Sequence, residues 1–189
     1  MADFKLYWPI LLRVEGYYAN DKDDKGGETW EGIARNEYPA WSGWPIVDSH
    51  RPVGGFVSRE QANELLKPDE ILQAKVIQFY KSSQWDVLEG DQINNQSIAN
   101  FLVDWGVNGG LSVPVKHAQK VLVFPTASID GKMGPHTLSA INTADGLAFF
   151  NNMKQERIDF YHAIVNHNPS QEKFLNTWLT RTNSFIYSA

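Results

Sequence analysis

Apolar residues recur at helical spacing along most of the chain, and stretches rich in Gly, Pro, Asn and Asp interrupt them. Trp8, Leu11 and Leu12 share one face with Glu15, which predicts a helix ending near Gly16. Pro9 lacks an N–H, so that helix either starts near it or kinks there. Ser58-Arg59-Glu60-Gln61 reads as a capping box opening a helix through Leu66. After Pro68 a second helix is predicted from Asp69 to about Ser83, with Leu72, Val76, Phe79 and Tyr80 on one face. Ile98, Phe101, Leu102 and Trp105 mark a helix over Ser97 to Trp105. Asp145 caps a long one through about Val165, which Asn168-Pro169 ends. Ser170 opens the last helix, with a Phe174, Leu175, Trp178 and Leu179 stripe. The fold class expected is mainly α, with a small irregular or β segment near residues 20–56. The Asp-, Gly- and Asn-rich connector from Trp85 to Asn95 divides the chain into lobes 1–90 and 91–189, expected to pack as one body.

The stretch from Glu15 to Ile33 gathers the most chemistry in the fewest residues. A carboxyl ending an apolar stripe is partly desolvated, which raises its pKa and suits it to protonate a leaving oxygen. The competing reading is a Glu exposed at a helix end, with Gly16 as the stop. An acidic loop follows, in which Asn20, Asp21, Asp23 and Asp24 favour turns. Gly26-Gly27 adds backbone freedom, and Thr29 offers a hydroxyl. Two carboxylates in a tight arrangement are what glycoside hydrolysis requires. A calcium loop fails on its ligands: with Asp21 and Asp23 in the first two positions, Lys25 takes the third and Gly32 stands where a bidentate Glu is needed. No metal and no cofactor is expected.

These residues resemble the catalytic motif of glycoside hydrolase family 108, lysozyme-like N-acetylmuramidases. The resemblance rests on Glu15, Gly16, Tyr18, Asn20, Asp21, Asp24, Gly26, Gly27, Thr29, Gly32 and Ile33. It implies a lysozyme-like helical fold, with Glu15 as general acid, Asp24 as second carboxylate with Asp21 in reserve, and Thr29 positioning water. Tyr17, Tyr18, Asn20, Asp21 and Trp30 become substrate-binding candidates. Tyr17 departs from the pattern, standing where the family has a second Gly; its ring either narrows the cleft or stacks on sugar. That departure keeps open an alternative, a non-catalytic wall-binding or secretion-accessory protein.

Composition narrows the partners. Net charge is −5 and no basic stripe occurs, which argues against nucleic acid. There is no cysteine, hence no disulfide or thiol chemistry. No apolar run is long enough to span a bilayer, and no signal peptide is recognised, so the chain is expected to be a monomer made in the bacterial cytoplasm and acting on the wall. Seven Trp, seven Tyr and ten Phe supply stacking platforms or core, and both readings stay open for Trp41 and Trp44 in the loop-like stretch Asn36 to Gly55. Scattered histidines and the lack of a Gly-x-Ser-x-Gly elbow argue against a zinc amidase or serine hydrolase.

The second half also carries a resemblance. Asp104, Val107, Asn108, Gly110, Ala118, Gln119 and the Asp130-to-Pro135 turn with Thr137 and Ala140 are similar to a peptidoglycan-binding module. Peptidoglycan glycan strands are thus the partner implied, with Asn108 and Gly109 as contact candidates.

Overall fold

The computed structural model describes residues 1–12, 17–20 and 26–189. The chain is mainly α, as expected. It folds into two compact units, one of Tyr7–Ser83 and one of Met1–Leu6 with Gln84–Ala189.

The first helix, α1 (Phe4–Leu12), starts ahead of Pro9 and carries it inside. Asp3 explains the early start, because its carboxylate accepts the Lys5 N–H at 2.8 Å and supplies a first-turn acceptor. In the Tyr7–Ser83 unit a two-residue hairpin, β1 (Thr29–Trp30) and β2 (Ile33–Ala34), pairs Thr29 with Ala34 and Trp30 with Ile33. Glu31 (φ 44°) and Gly32 (φ 80°) make its turn. Two successive left-handed residues are the geometry that matches strand twist in a tight hairpin.

Three helices complete this unit: α2 (Trp44–Ser49), α3 (Arg59–Leu66) and α4 (Glu70–Tyr80). The turn-rich composition around α2 reads as loop, yet Pro45 sits in its first turn, where a missing N–H costs nothing. Trp44 and Val47 then bury one side of it. Gly43 precedes α2 because a Cβ there would lie 2.3 Å from the Trp41 ring. Ser58 caps α3 through the Gln61 N–H, but the Gln61 side chain accepts from Val57 N rather than from Ser58 itself. Asp69 caps α4 through Leu72 N and also pairs with His50 at 2.7 Å. α4 stops at Tyr80, short of the expected Ser83, in a π turn over Lys81–Trp85. The hydroxyls of Ser82 and Ser83 donate to the Gln78 and Phe79 carbonyls, competing with the regular ladder.

The other unit is built on α5 (Gln96–Gly109), in which every residue from Ile98 to Gly106 is buried. A helix buried on all sides is a core helix. α6 (Ser112–Val121), α7 (Pro135–Thr143), α8 (Gly146–His167) and α9 (Glu172–Ser184) pack with it. Asn95 caps α5 and Asp145 caps α8. α9 begins after a 3-10 turn, because Asn168 caps Ser170 first. Asp104 of α5, fully buried, meets Arg157 of α8 at 2.9 Å and Arg181 of α9 at 2.7 Å. Arg157 also donates to the Tyr161 hydroxyl. One acid thus joins three helices through two guanidinium groups. The first residues of the chain belong here too: Ala2 N donates to Ile93 O, Asp3 N to the Gln96 side chain, and Phe4 sits edge-on to Trp85.

Candidate active site

The hairpin of the Tyr7–Ser83 unit is widened by the segment that follows the expected catalytic glutamate. Ala19 and Thr29 exchange both backbone hydrogen bonds, at 2.9 and 2.8 Å, and Glu31 N donates to Tyr17 O at 3.3 Å. The strand bearing Thr29 is therefore hydrogen-bonded to the backbone immediately after Gly16. Successive residues on a strand face opposite sides. Tyr18 and Trp30 are buried, while Tyr17 and Ala19 are exposed and Thr29 is half-buried.

This alternation sorts the expected site residues. Thr29 donates its hydroxyl to Gly27 O at 3.2 Å, so toward a water it acts as acceptor. Gly27 takes a left-handed φ of 66°, and a Cβ there would meet Asn36 at 2.7 Å. Tyr17 is 40% exposed, and Lys67 Nζ lies 3.3 Å from its ring centre. Asn20 is exposed, and its amide makes a long 3.5 Å contact to the Tyr18 hydroxyl. Trp30 is fully buried and Tyr18 nearly so, which leaves neither ring a face on which a sugar could stack. Both rings belong to the core of this unit. Asn108 and Gly109 are exposed, but they end α5 in the other unit, where Asn108 donates to Asp104 O. Glu15, Asp21 and Asp24 lie outside the described residues. Of the two loop tryptophans, Trp44 is buried beneath Arg35 and Trp41 packs edge-on against it.

Two acids that the sequence reading passed over stand beside Thr29. Glu28 accepts the Tyr18 hydroxyl at 2.8 Å and pairs with Arg35 at 2.9 Å and Arg51 at 2.5 Å. Burial, reinforced by the Glu28 carboxylate, raises the pKa of Tyr18. Both arginines also reach Asp48, whose pKa is lowered, first by the hydrogen bond from Arg35. This lattice fixes the start of β1 to the loop after α2. Glu31 is 3% exposed, and its Oε1 accepts from Gln73 Nε2 at 3.2 Å while its Oε2 has no partner among the described residues. Its carbonyl accepts the Tyr80 hydroxyl at 2.8 Å. Burial raises the pKa of Glu31, against the lowering effects of Gln73 and the nearby Lys67. The one sequence signal for Glu31 is a carboxyl set between Trp30 and Gly32-Ile33, an apolar frame.

A small hairpin set among helices fits a lysozyme-like fold. Residues 8–110 match the family model described as glycosyl hydrolase 108, and the chain belongs to that family. Residues 113–183 match a predicted peptidoglycan domain. None of the curated proteins matches the sequence. Among solved structures, SagA of Brucella abortus is similar in fold: 21% identity, 96% of this chain and 94% of that one covered, TM-score 0.57. The protein is a peptidoglycan hydrolase, acting on the cell wall, and among the described residues no helix is long and apolar enough to cross a membrane.

Proposed function

We propose that the enzyme cleaves the β-1,4 bond between N-acetylmuramic acid and N-acetylglucosamine, with Glu15 as the general acid. The observation that carries this reading is the family match over residues 8–110, a range that contains Glu15, Asp24 and Thr29. Glu15 delivers a proton to the glycosidic oxygen as the bond to the anomeric carbon breaks. Asp24 then stabilises the positive charge on the sugar or takes a proton from the attacking water, with Asp21 as its substitute. Thr29 accepts a hydrogen bond from that water, since its own proton is committed to Gly27 O. Tyr17 and Asn20, exposed beside Thr29, contact the sugar, and Asn108 and Gly109 serve as wall contacts in the second half of the chain. Catalysis belongs to the N-terminal part and wall retention to the C-terminal part. The enzyme works as a monomer and has no nucleic-acid partner.

The test is product analysis on purified peptidoglycan. After borohydride reduction, mass spectrometry is expected to find reduced N-acetylmuramic acid at the new ends. Reduced N-acetylglucosamine there instead would assign the other bond. Glu15→Gln removes the proton donor while keeping the shape, and should lower the rate roughly 10²- to 10⁴-fold. Near wild-type release of products by that variant would remove Glu15 from its role.

A further inference from the structure

A cavity of about 590 Å³ opens in the C-terminal unit, between the end of α6, the turn after Ile129 and the start of α7. All of its lining residues fall inside the matched peptidoglycan domain, residues 113–183. What distinguishes it is how its polar groups are used. Gln119 is 2% exposed, and its amide donates to Asp130 Oδ1 at 2.9 Å and Thr137 Oγ1 at 3.2 Å. Its own oxygen accepts from Gly131 N at 3.0 Å. Asp130 Oδ1 also takes the Lys132 N–H at 2.9 Å. These bonds build the wall of the cavity and leave little of it free to bind hydroxyls.

The remaining lining combines apolar area with the Ser128 hydroxyl, the His136 ring and one lysine. Phe124 and His136 form a tilted ring pair, centroids 4.8 Å apart, and Met133 and Pro135 add alkyl area. Lys132 is exposed at the rim. Gly134 starts α7 with no side chain to cap its first N–H groups, and a Cβ there would meet nothing within 4 Å. A glycan strand needs many directional hydrogen bonds, and here Gln119 and Asp130 Oδ1 are already committed within the wall. Peptidoglycan's other component, the stem peptide, carries small methyl side chains and a terminal carboxylate.

We infer that this cavity binds the carboxylate end of a peptidoglycan stem peptide, a reading that rests on the assignment of wall retention to the C-terminal part. The methyl groups lie against Phe124, Met133 and Pro135. The carboxylate faces Lys132 and the uncapped start of α7. Asp130, the one acid of the lining, accepts a peptide N–H.

The full-length protein, labelled with ¹⁵N, should be titrated with the free peptide L-Ala–γ-D-Glu–L-Lys–D-Ala–D-Ala, which contains no glycosidic bond. Saturable shifts of the Gly131, Gly134 and Lys132 amides are expected. Amidating the peptide's C-terminus, or changing Lys132→Ala, should weaken binding roughly tenfold by removing one charge-assisted contact. Gly134→Leu fills the cavity from a position with open space and should abolish the shifts while leaving the spectrum elsewhere unchanged. Shifts at these amides with chitotetraose and none with the peptide would overturn the inference, as would silence with both. Co-sedimentation of the Glu15→Gln chain with intact sacculi separates the two levels. If the chain pellets but the peptide leaves the cavity unmoved, only the stem-peptide site fails. If it does not pellet, the assignment of wall retention fails.

Discussion

Asp104 and Glu31 are both acids withdrawn from water, one in each unit, at 0% and 3% exposure. Asp104 is met by two arginines, Arg157 at 2.9 Å and Arg181 at 2.7 Å, from two other helices. Among the described residues Glu31 has one amide donor, Gln73, an oxygen without a partner, and a lysine that acts only at a distance. An isolated buried charge costs several kcal/mol, and a buried acid escapes that cost by finding cations or by keeping its proton. The scaffold unit takes the first course and gains a tie between α5, α8 and α9. In the unit with the hairpin no cation pairs with Glu31 among the described residues, and burial raises its pKa instead. Poorly satisfied acids are often found where a site does chemistry.

The comparison breaks most visibly at Asp104. Asp104→Asn keeps the shape but strands two guanidinium groups, one of them fully buried. Removing one partner of a buried ion pair typically costs about 3–5 kcal/mol. Urea denaturation of the variant should show a loss in that range. A loss under about 1 kcal/mol would mean that the arginines find other partners and that the triad does not hold the helices together.

Glu31 gives a smaller effect with a characteristic sign. Its pKa is raised in the folded protein by burial, so the folded state holds a proton that the unfolded state releases. Wherever the folded state binds more protons, stability falls as pH rises. The contribution is therefore fully present below the ordinary glutamate range and is lost as pH rises through the raised value. Glu31→Gln removes the titration; its amide adds a pH-independent offset, so the slope is the quantity to read. Denaturation midpoints measured from acid to neutral pH should fall more steeply for the wild type than for the variant. Parallel curves would show that Glu31 does not hold its proton.

The difference between these two acids was not legible in the sequence. Asp104, Arg157 and Arg181 are far apart along the chain, and only the packing of α5 on α8 and α9 brings them together. What was legible is local. Ser58 and Asp145 signal helix starts because a cap is decided within three residues, and both side chains make the capping bond, as Asp69 does at the start of α4. α2 escaped because its Pro and Gly residues suit a loop as well as the first turn of a short helix. In the site, the aromatic residues Tyr18 and Trp30 were recognisable as a group with Tyr17, but strand alternation turns those two inward, and sequence alone does not say which side is the core. Glu31 looked like any charged turn residue until its neighbours closed over it.

Tyr17 offers the mildest way to sharpen the contrast, because it links Glu31 to Lys67. Its carbonyl accepts the Glu31 N–H, and its ring holds Lys67 Nζ at 3.3 Å. Tyr17→Gly keeps the carbonyl and releases the lysine. A cation–π contact at a part-exposed site is worth about 0.5–1 kcal/mol, so the stability loss should stay near that figure, with some addition for the flexibility of glycine. The freed Lys67 can then approach the unpaired Glu31 oxygen. An approaching cation favours the ionised acid, so the steep pH dependence of stability predicted above should flatten part of the way toward that of Glu31→Gln. For activity, loss of a ring beside Thr29 should act on substrate binding, raising KM a few-fold with little change in kcat. A large fall in kcat would instead make Tyr17 part of the catalytic geometry. An unchanged pH slope would show that the Tyr17 ring is not what keeps Lys67 from neutralising Glu31.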